Sequence, residues 1–463
     1  MAPAIRFNYE RAMEKVVGAE GLLMSELDER AAKNAVSEFR ERVDSGEIGF
    51  PTVPEDKGTA AAVAEFAQGL RGTMDDVLLV GIGGSALGAY ALDVALRGPH
   101  PVQTGLNSGR RKRTGHAAAA RPRLIVLDNV DPGLVSAALE LLNPRRTVVC
   151  VVAKSGSTAE TLATFLIVRQ WMLDALGSRA RAQIIAITDP KRGDLLSIAK
   201  EERYPLFFVP ENVGGRFSVL TPVGLVPAAL IGVDIGKLLR GARDATGICW
   251  SEKLKENPAL ASAAVHHALD RRGKAIEVVF AYSNYLWGAA FWYRQLWAES
   301  LGKAVSRTGM QVSAGQTPVA ALGVTDQHSQ LQLYMEGPND KMITFWEVER
   351  PRAEVRIPKD LSQYDSCRYL GGKSLGTLLR AERTATEAAL TKAGRPNCRW
   401  TLPRVDEYNL GAFFQMLEFQ TAFAGELYGV NAFDQPGVEL GKKMTYGLMG
   451  RKGYEDLAKG LKS

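Results

Sequence analysis

From about Met74 onward, short runs of wholly apolar residues alternate with longer helical stretches. DDVLLVGIG, RLIVLDNV, RRTVVCVVAKSG, AQIIAITDP and YPLFFVPENVGG each carry an apolar run of four to seven residues, followed by a loop with Gly, Asp or Ser. Strands that are apolar throughout are buried on both faces, and helices between them make βαβ units on a parallel sheet. Five such strands predict one α/β domain over residues 50–233. A second set follows: KAIEVVFAYSN as a strand, LWGAAFWYRQLWAESLGK as a helix apolar nearly all round, then GMQVSAG, the helix-forming DQHSQLQLYMEG and the strand KMITFWEVE. A charged helix from Ser374 to Ala393, the segment NCRWTLPRV and a long helix, EYNLGAFFQMLEFQTAFAGELYG, complete a second α/β domain over 234–429. Residues 1–49 read as a helical N-terminal segment, and 430–463 as a tail with a turn at Asp434–Gly437. The predicted fold class is α/β, two tandem α-β-α sandwiches with parallel sheets and helical ends.

Composition narrows the classes open to this chain. At 463 residues and 46% hydrophobic, it has material for more than one core. The formal net charge of +6 is mildly basic, which suits anionic ligands but is too evenly spread for a nucleic-acid partner. Arg110-Arg111-Lys112-Arg113, within a Gly/Ala/Pro-rich stretch over 101–123, reads as a solvated loop. Cys150, Cys249, Cys367 and Cys398 have no CxxC spacing, so neither a disulfide framework nor a zinc site is expected. MAPAIRFNYERAMEK has no apolar signal core and no run of 18 uncharged apolar residues occurs, so the expected place is the reducing cytoplasm, without a membrane partner.

Ligands of open parallel sheets bind at the carboxyl ends of strands, so the loops there hold the candidate chemistry. Residues 81–88, GIGGSALG, follow the first strand; glycines let the backbone approach a ligand, and a helix N-terminus favours an anion. A plain tight turn fits as well, but a dinucleotide site does not, because the spacing is GxGGSxxG and no acidic residue closes a second strand about 20 residues on. After the third strand, Ser155, Ser157, Thr158 and Thr161 crowd one turn behind Lys154. One cap needs one hydroxyl, so this cluster favours a phosphate over capping alone. Arg216, after two glycines, is either a surface charge or a fixed cation for a developing oxyanion. Gln295 and Glu299 lie four apart on one face of the apolar helix; Glu299 is either paired with Arg294 or Lys303 or is a general base. His266 and His267 read as lying in a polar helix, whereas His328 sits in a dense polar cluster at a strand-to-helix junction, a setting for acid–base work. Lys442 reads as a surface lysine of the tail on its own evidence.

GIGGSALG, KSGSTAET, GGRFSVLTPVGL, QLWAESLGK, DQHSQLQLYMEGP and QPGVELGKK, in this order, resemble the glucose-6-phosphate isomerase family along nearly the whole chain. GGRFS and GVELGKK are the specific segments, while GIGGS and KSGST belong to sugar-isomerase (SIS-type) domains generally. The resemblance implies a homodimer that interconverts hexose phosphates through a cis-enediolate, without metal or cofactor. It implies that Gly84 and Ser85 touch substrate and that Lys154, Ser155, Ser157 and Thr158 surround its phosphate. Arg216 would stabilise the enediolate and Glu299 would carry the proton between C2 and C1, with Gln295 as a substrate contact. His328, supplied by the partner chain, and Lys442 would open and close the ring, with Gln435 nearby. The rivals are an isomerase of another hexose phosphate and a non-catalytic sugar-phosphate sensor, which would need neither Glu299 nor Lys442. A dehydrogenase is more distant still.

Overall fold

The computed structural model describes residues 4–98, 121–156 and 158–461; the basic run Arg110–Arg113, His100, His116 and Ser157 lie outside them. Strand β1 (Arg6–Asn8) precedes the first sheet, which is built from β2 (Asp76–Val80), β3 (Arg123–Leu127), β4 (Thr147–Ala153), β5 (Ile184–Thr188) and β6 (Leu206–Phe208). These five run parallel in the order β3-β2-β4-β5-β6. Every residue of β2, β4 and β5 is buried, as continuously apolar strands require when helices cover both faces.

The second sheet takes β7 (Ile276–Ala281), β10 (Thr317–Leu322), β11 (Lys341–Val348) and β12 (Asn397–Leu402), while β8 (Lys303–Val305) and β9 (Gln311–Ala314) pair as a separate ribbon. Its order is β1-β12-β11-β7-β10, parallel except for β1, which joins β12 antiparallel through Arg6↔Thr401 and its neighbours. Sequence reading puts helices alone in the N-terminal segment; β1 is the difference, a three-residue strand too short to show a period. β10 is the second difference. It holds Pro318 at a sheet edge, the place where a strand tolerates a residue without an N–H.

One apolar core runs between the sheets, drawing on both and on the helices Ile235–Cys249, Pro258–Arg271, Trp287–Leu301 and Glu407–Tyr428. The last of these is buried without a break from Asn409 to Glu426, so it forms the central pillar of the molecule. The Pro258–Arg271 helix is also buried, and His266 within it is fully enclosed, which corrects the reading of a polar helix. Its alanines supply an apolar surface, and the imidazole is satisfied by Ser262 O and Glu277 Oε1, each 2.7 Å away. No described helix is long and apolar enough to cross a membrane.

Candidate active site

The order of the first sheet creates a crevice. The chain leaves β2 toward β3 on one side and β4 toward β5 on the other, so the loops after adjacent strands β2 and β4 diverge. Such a switch point is where an open parallel sheet takes its ligand. The two loops are 81–88 and the one carrying Lys154, Ser155 and Thr158.

The glycine loop meets the residues read as catalytic. A Cβ on Gly84 would lie 2.4 Å from the Gly215 carbonyl and 2.6 Å from Arg216 N, and one on Gly83 would lie 2.9 Å from the Gln295 amide nitrogen. Only residues without a side chain admit this approach. Ser85 ends the short 3-10 turn Gly83–Ser85 that forms this contact.

Arg216 lies at the junction, its side chain 2% exposed. Nε donates to Ser300 Oγ at 2.7 Å, one terminal nitrogen to Glu299 Oε1 and Gln435 Oε1 at 3.1 Å each, and the other to the carbonyls of Ala432 at 2.5 Å and Asp434 at 2.9 Å. Burial pushes the guanidinium pKa down, and Glu299 and Asp434 oppose that shift. A guanidinium keeps its proton under such burial, so the site holds a fixed positive charge.

Glu299 is 27% exposed, and its second oxygen, Oε2, accepts from Gln295 Nε2 at 2.8 Å. Arg216 therefore replaces both ion-pair partners considered from sequence. Arg294 stacks on Phe291 instead, 4.1 Å from the ring centroid. Lys303 turns its ammonium to the carbonyls of Glu299 and Ser300, both at 2.8 Å, closing the C-terminal end of the Trp287–Leu301 helix. Ser300 and the Ala432 and Asp434 carbonyls were missed in the sequence, where Lys303 was read only as a possible ion-pair partner of Glu299. Carbonyls carry no side-chain signal, and only the adjacency of Ser300 to Glu299 hinted at its place.

Burial, then the neighbouring Arg216, push the Lys303 ammonium from an ordinary 10.5 down to about 8, against the pull of Asp434 and Glu299. Between these two values the unfolded chain keeps a proton that folded Lys303 has shed, so this lysine makes stability rise with pH across the window. Lys303→Met is expected to remove that rise. Urea unfolding of both proteins at the two ends of the window reads the difference, and parallel profiles would contradict it.

In the second loop, Thr158 precedes the Ala159–Leu176 helix without donating or accepting a cap, and its hydroxyl lies 3.2 Å from Ser155 Oγ. Lys154 does not reach toward these hydroxyls; its ammonium donates to the carbonyls of Glu211 and Val213, both at 2.8 Å, tying this loop to the one that carries Arg216. Gln435 is brought to the centre by Arg216.

His328 and Lys442 are not brought there. β10 runs parallel to β7, so His328, in the turn Thr325–His328 beyond β10, lies at the sheet end where the Trp287–Leu301 helix begins. That helix runs back for roughly 18 Å before it reaches Glu299. Lys442 sits on the exposed helix Glu439–Leu448 and pairs with Glu439 at 3.0 Å.

Fold and site together give an α/β protein with a carboxylate and a buried guanidinium packed against the glycine loop of a sheet switch point. The model of the family described as phosphoglucose isomerase matches residues 61–454. The chain is 43% identical to a glucose-6-phosphate isomerase of Carboxydothermus hydrogenoformans over 458 residues, covering 98% of this chain and 96% of that one. It is 44% identical to that of Rubrobacter xylanophilus, covering 97% and 99%. Among solved structures, a hypothetical protein of Thermus thermophilus superposes with a TM-score of 0.83 at 36% identity, covering 96% of this chain and 100% of that one. A glucose-6-phosphate isomerase of Chlamydia trachomatis superposes with a TM-score of 0.74 at 25% identity, covering 88% and 77%. This chain belongs to the phosphoglucose isomerase family.

Proposed function

We propose that this chain interconverts glucose 6-phosphate and fructose 6-phosphate in the cytoplasm, by ring opening and proton transfer through a cis-enediolate. The observation that carries the reading is the Glu299 carboxylate held between Arg216 and Gln295 where the Gly83–Gly84 turn closes on them. Moving a hydrogen between adjacent carbons is redox-neutral and needs one base able to reach both. A carboxylate gripped at both oxygens and partly open to the crevice fits that task. As the proton leaves C2, charge builds on the two oxygens, and a cation already desolvated and fixed by carbonyls stabilises it without reorganising.

Gly84 and Ser85 would line the sugar. Ser155, Ser157 and Thr158 would hold the phosphate, and the uncapped Thr158 supports this because its hydroxyl is free of a helix-capping duty. Lys154 serves this site as the tether between the phosphate loop and the Arg216 loop. His328 and Lys442 would open the ring, with Gln435 beside Arg216. The sheet geometry that keeps His328 from the Glu299 of its own chain supports a homodimer in which each histidine serves the partner's site.

The test is to incubate the purified chain with fructose 6-phosphate and EDTA and to follow glucose 6-phosphate through a coupled dehydrogenase. Fast turnover, unchanged by EDTA, is expected. Fructose 6-phosphate that binds without turning over would replace this reading with a sugar-phosphate sensor.

A further inference from the structure

Resting on that reading of Arg216, we propose that Arg42, in the helix Glu29–Asp44, is a positioning residue for Arg216 and makes the N-terminal segment part of the active-site frame. Beside Ser300 and Glu299, the segment 432–435 holds the Arg216 guanidinium with two carbonyls and the Gln435 side chain, and the loop from Asn212 carries its backbone. The N-terminal segment grips both.

On the C-terminal side, Arg42 donates to Asn431 Oδ1 at 3.3 Å and lies 5.1 Å from the Phe433 ring centroid. Asn431 in turn fixes the segment, accepting from Phe433 N at 3.2 Å and donating to Asp434 Oδ2 at 2.9 Å. Phe433 packs on Phe217, the neighbour of Arg216, with ring centroids 5.0 Å apart. Arg42 is itself anchored: it donates to Glu426 Oε1 at 2.7 Å at the end of the central helix, and to Glu47 at 2.6 Å. On the other side, Gly49 N donates to Asn212 O at 2.9 Å and Asn212 Nδ2 to Gly46 O at 3.0 Å. A Cβ on Gly49 would stand 2.2 Å from Asn212 Oδ1, so any larger residue would push the Asn212 amide from its place on Gly46 O.

One planar fork thus bridges helix end, turn and aromatic ring, which a lysine's point charge cannot do. Without it, Glu426 keeps Arg307 as a partner, but the 431–435 segment loses its hydrogen bond to the N-terminal helix and keeps only the stacking of Phe433 on Phe39, with ring centroids 6.3 Å apart. The carbonyls that aim Arg216 then relax. A shift of this kind weakens stabilisation of the enediolate more than binding of the ground-state sugar.

The experiment measures kcat and KM for fructose 6-phosphate with wild type, Arg42→Met, Asn431→Ala and Arg216→Lys. It also measures the affinity for 5-phosphoarabinonate, whose carboxylate mimics the enediolate. Arg42→Met is expected to lower kcat by roughly ten- to a hundredfold with KM nearly unchanged, and to weaken 5-phosphoarabinonate by a similar factor. Asn431→Ala should move both in the same direction. A merely structural role would lower the melting temperature and leave kcat per folded site and mimic affinity where they are, and that result overturns the proposal. Should Arg42→Met not fold, Asn431→Ala decides: wild-type kcat and mimic affinity in that variant overturn it. If Arg216→Lys itself retains turnover, the role of Arg216 is what fails. If Arg216→Lys collapses while Arg42→Met and Asn431→Ala do not, the failure belongs to Arg42 alone.

Discussion

Glu299→Gln is expected to lower kcat by roughly 10⁴-fold while leaving the fold and the binding of phosphate ligands intact. The side chains have the same shape, so packing is kept. The introduced amide still accepts from Arg216 through its oxygen, and the pair with Gln295 survives if the Gln295 amide turns over. Gln295 Oε1 has no hydrogen-bond partner among the described residues, so it is free to accept from the introduced amide. What disappears is the Glu299 oxygen pair, which takes a proton and returns it one carbon away. Steady-state turnover on fructose 6-phosphate, beside melting curves and fluorescence titration with a phosphate ligand, separates the effects. Turnover within tenfold of wild type would remove Glu299 from the role of base.

Arg216→Lys is expected to be the second-largest loss, roughly 10²- to 10³-fold in kcat. The guanidinium reaches Ser300, Glu299, Gln435 and the carbonyls of Ala432 and Asp434 at once, from a side chain 2% exposed. An ammonium has three protons and no fork, so it keeps the charge but leaves buried acceptors unpaired, each at about 1–3 kcal/mol. The variant should therefore melt at lower temperature as well as turn over slowly. A variant that melts lower but turns over normally would reduce Arg216 to a structural ion pair.

The central strands β2, β4 and β5 were legible because burial on both faces leaves nothing polar in VLLV, VVCVVA or IIAI. β1 and β10 were not, since three residues show no period and Pro318 argues against a strand unless its edge position is known. Within the site, the spacing of Gln295 and Glu299 fixed their shared face from sequence alone. Arg216 was ambiguous by itself and gained a role through the resemblance of GGRFS to the family. Its partner Glu299 lies 83 positions away, beyond the reach of local pattern. Lys154 shows the limit in the other direction. A lysine after a strand reads the same whether it faces a phosphate or, as here, the carbonyls of Glu211 and Val213. The first 49 residues carried no motif, yet Arg42, Gly46 and Gly49 reach both segments that hold Arg216, because their contacts are with residues 212 and 426–433.

The most direct measurement is to let the purified wild-type chain convert fructose 6-phosphate in deuterium oxide and to follow the product by proton NMR. Proton transfer through Glu299 predicts glucose 6-phosphate whose C2 position gains deuterium from solvent as turnover proceeds, because a carboxylate proton exchanges. Conversion that leaves C2 fully protiated after many turnovers would contradict transfer through a carboxylate in exchange with solvent, and no conversion at all would contradict the isomerase itself.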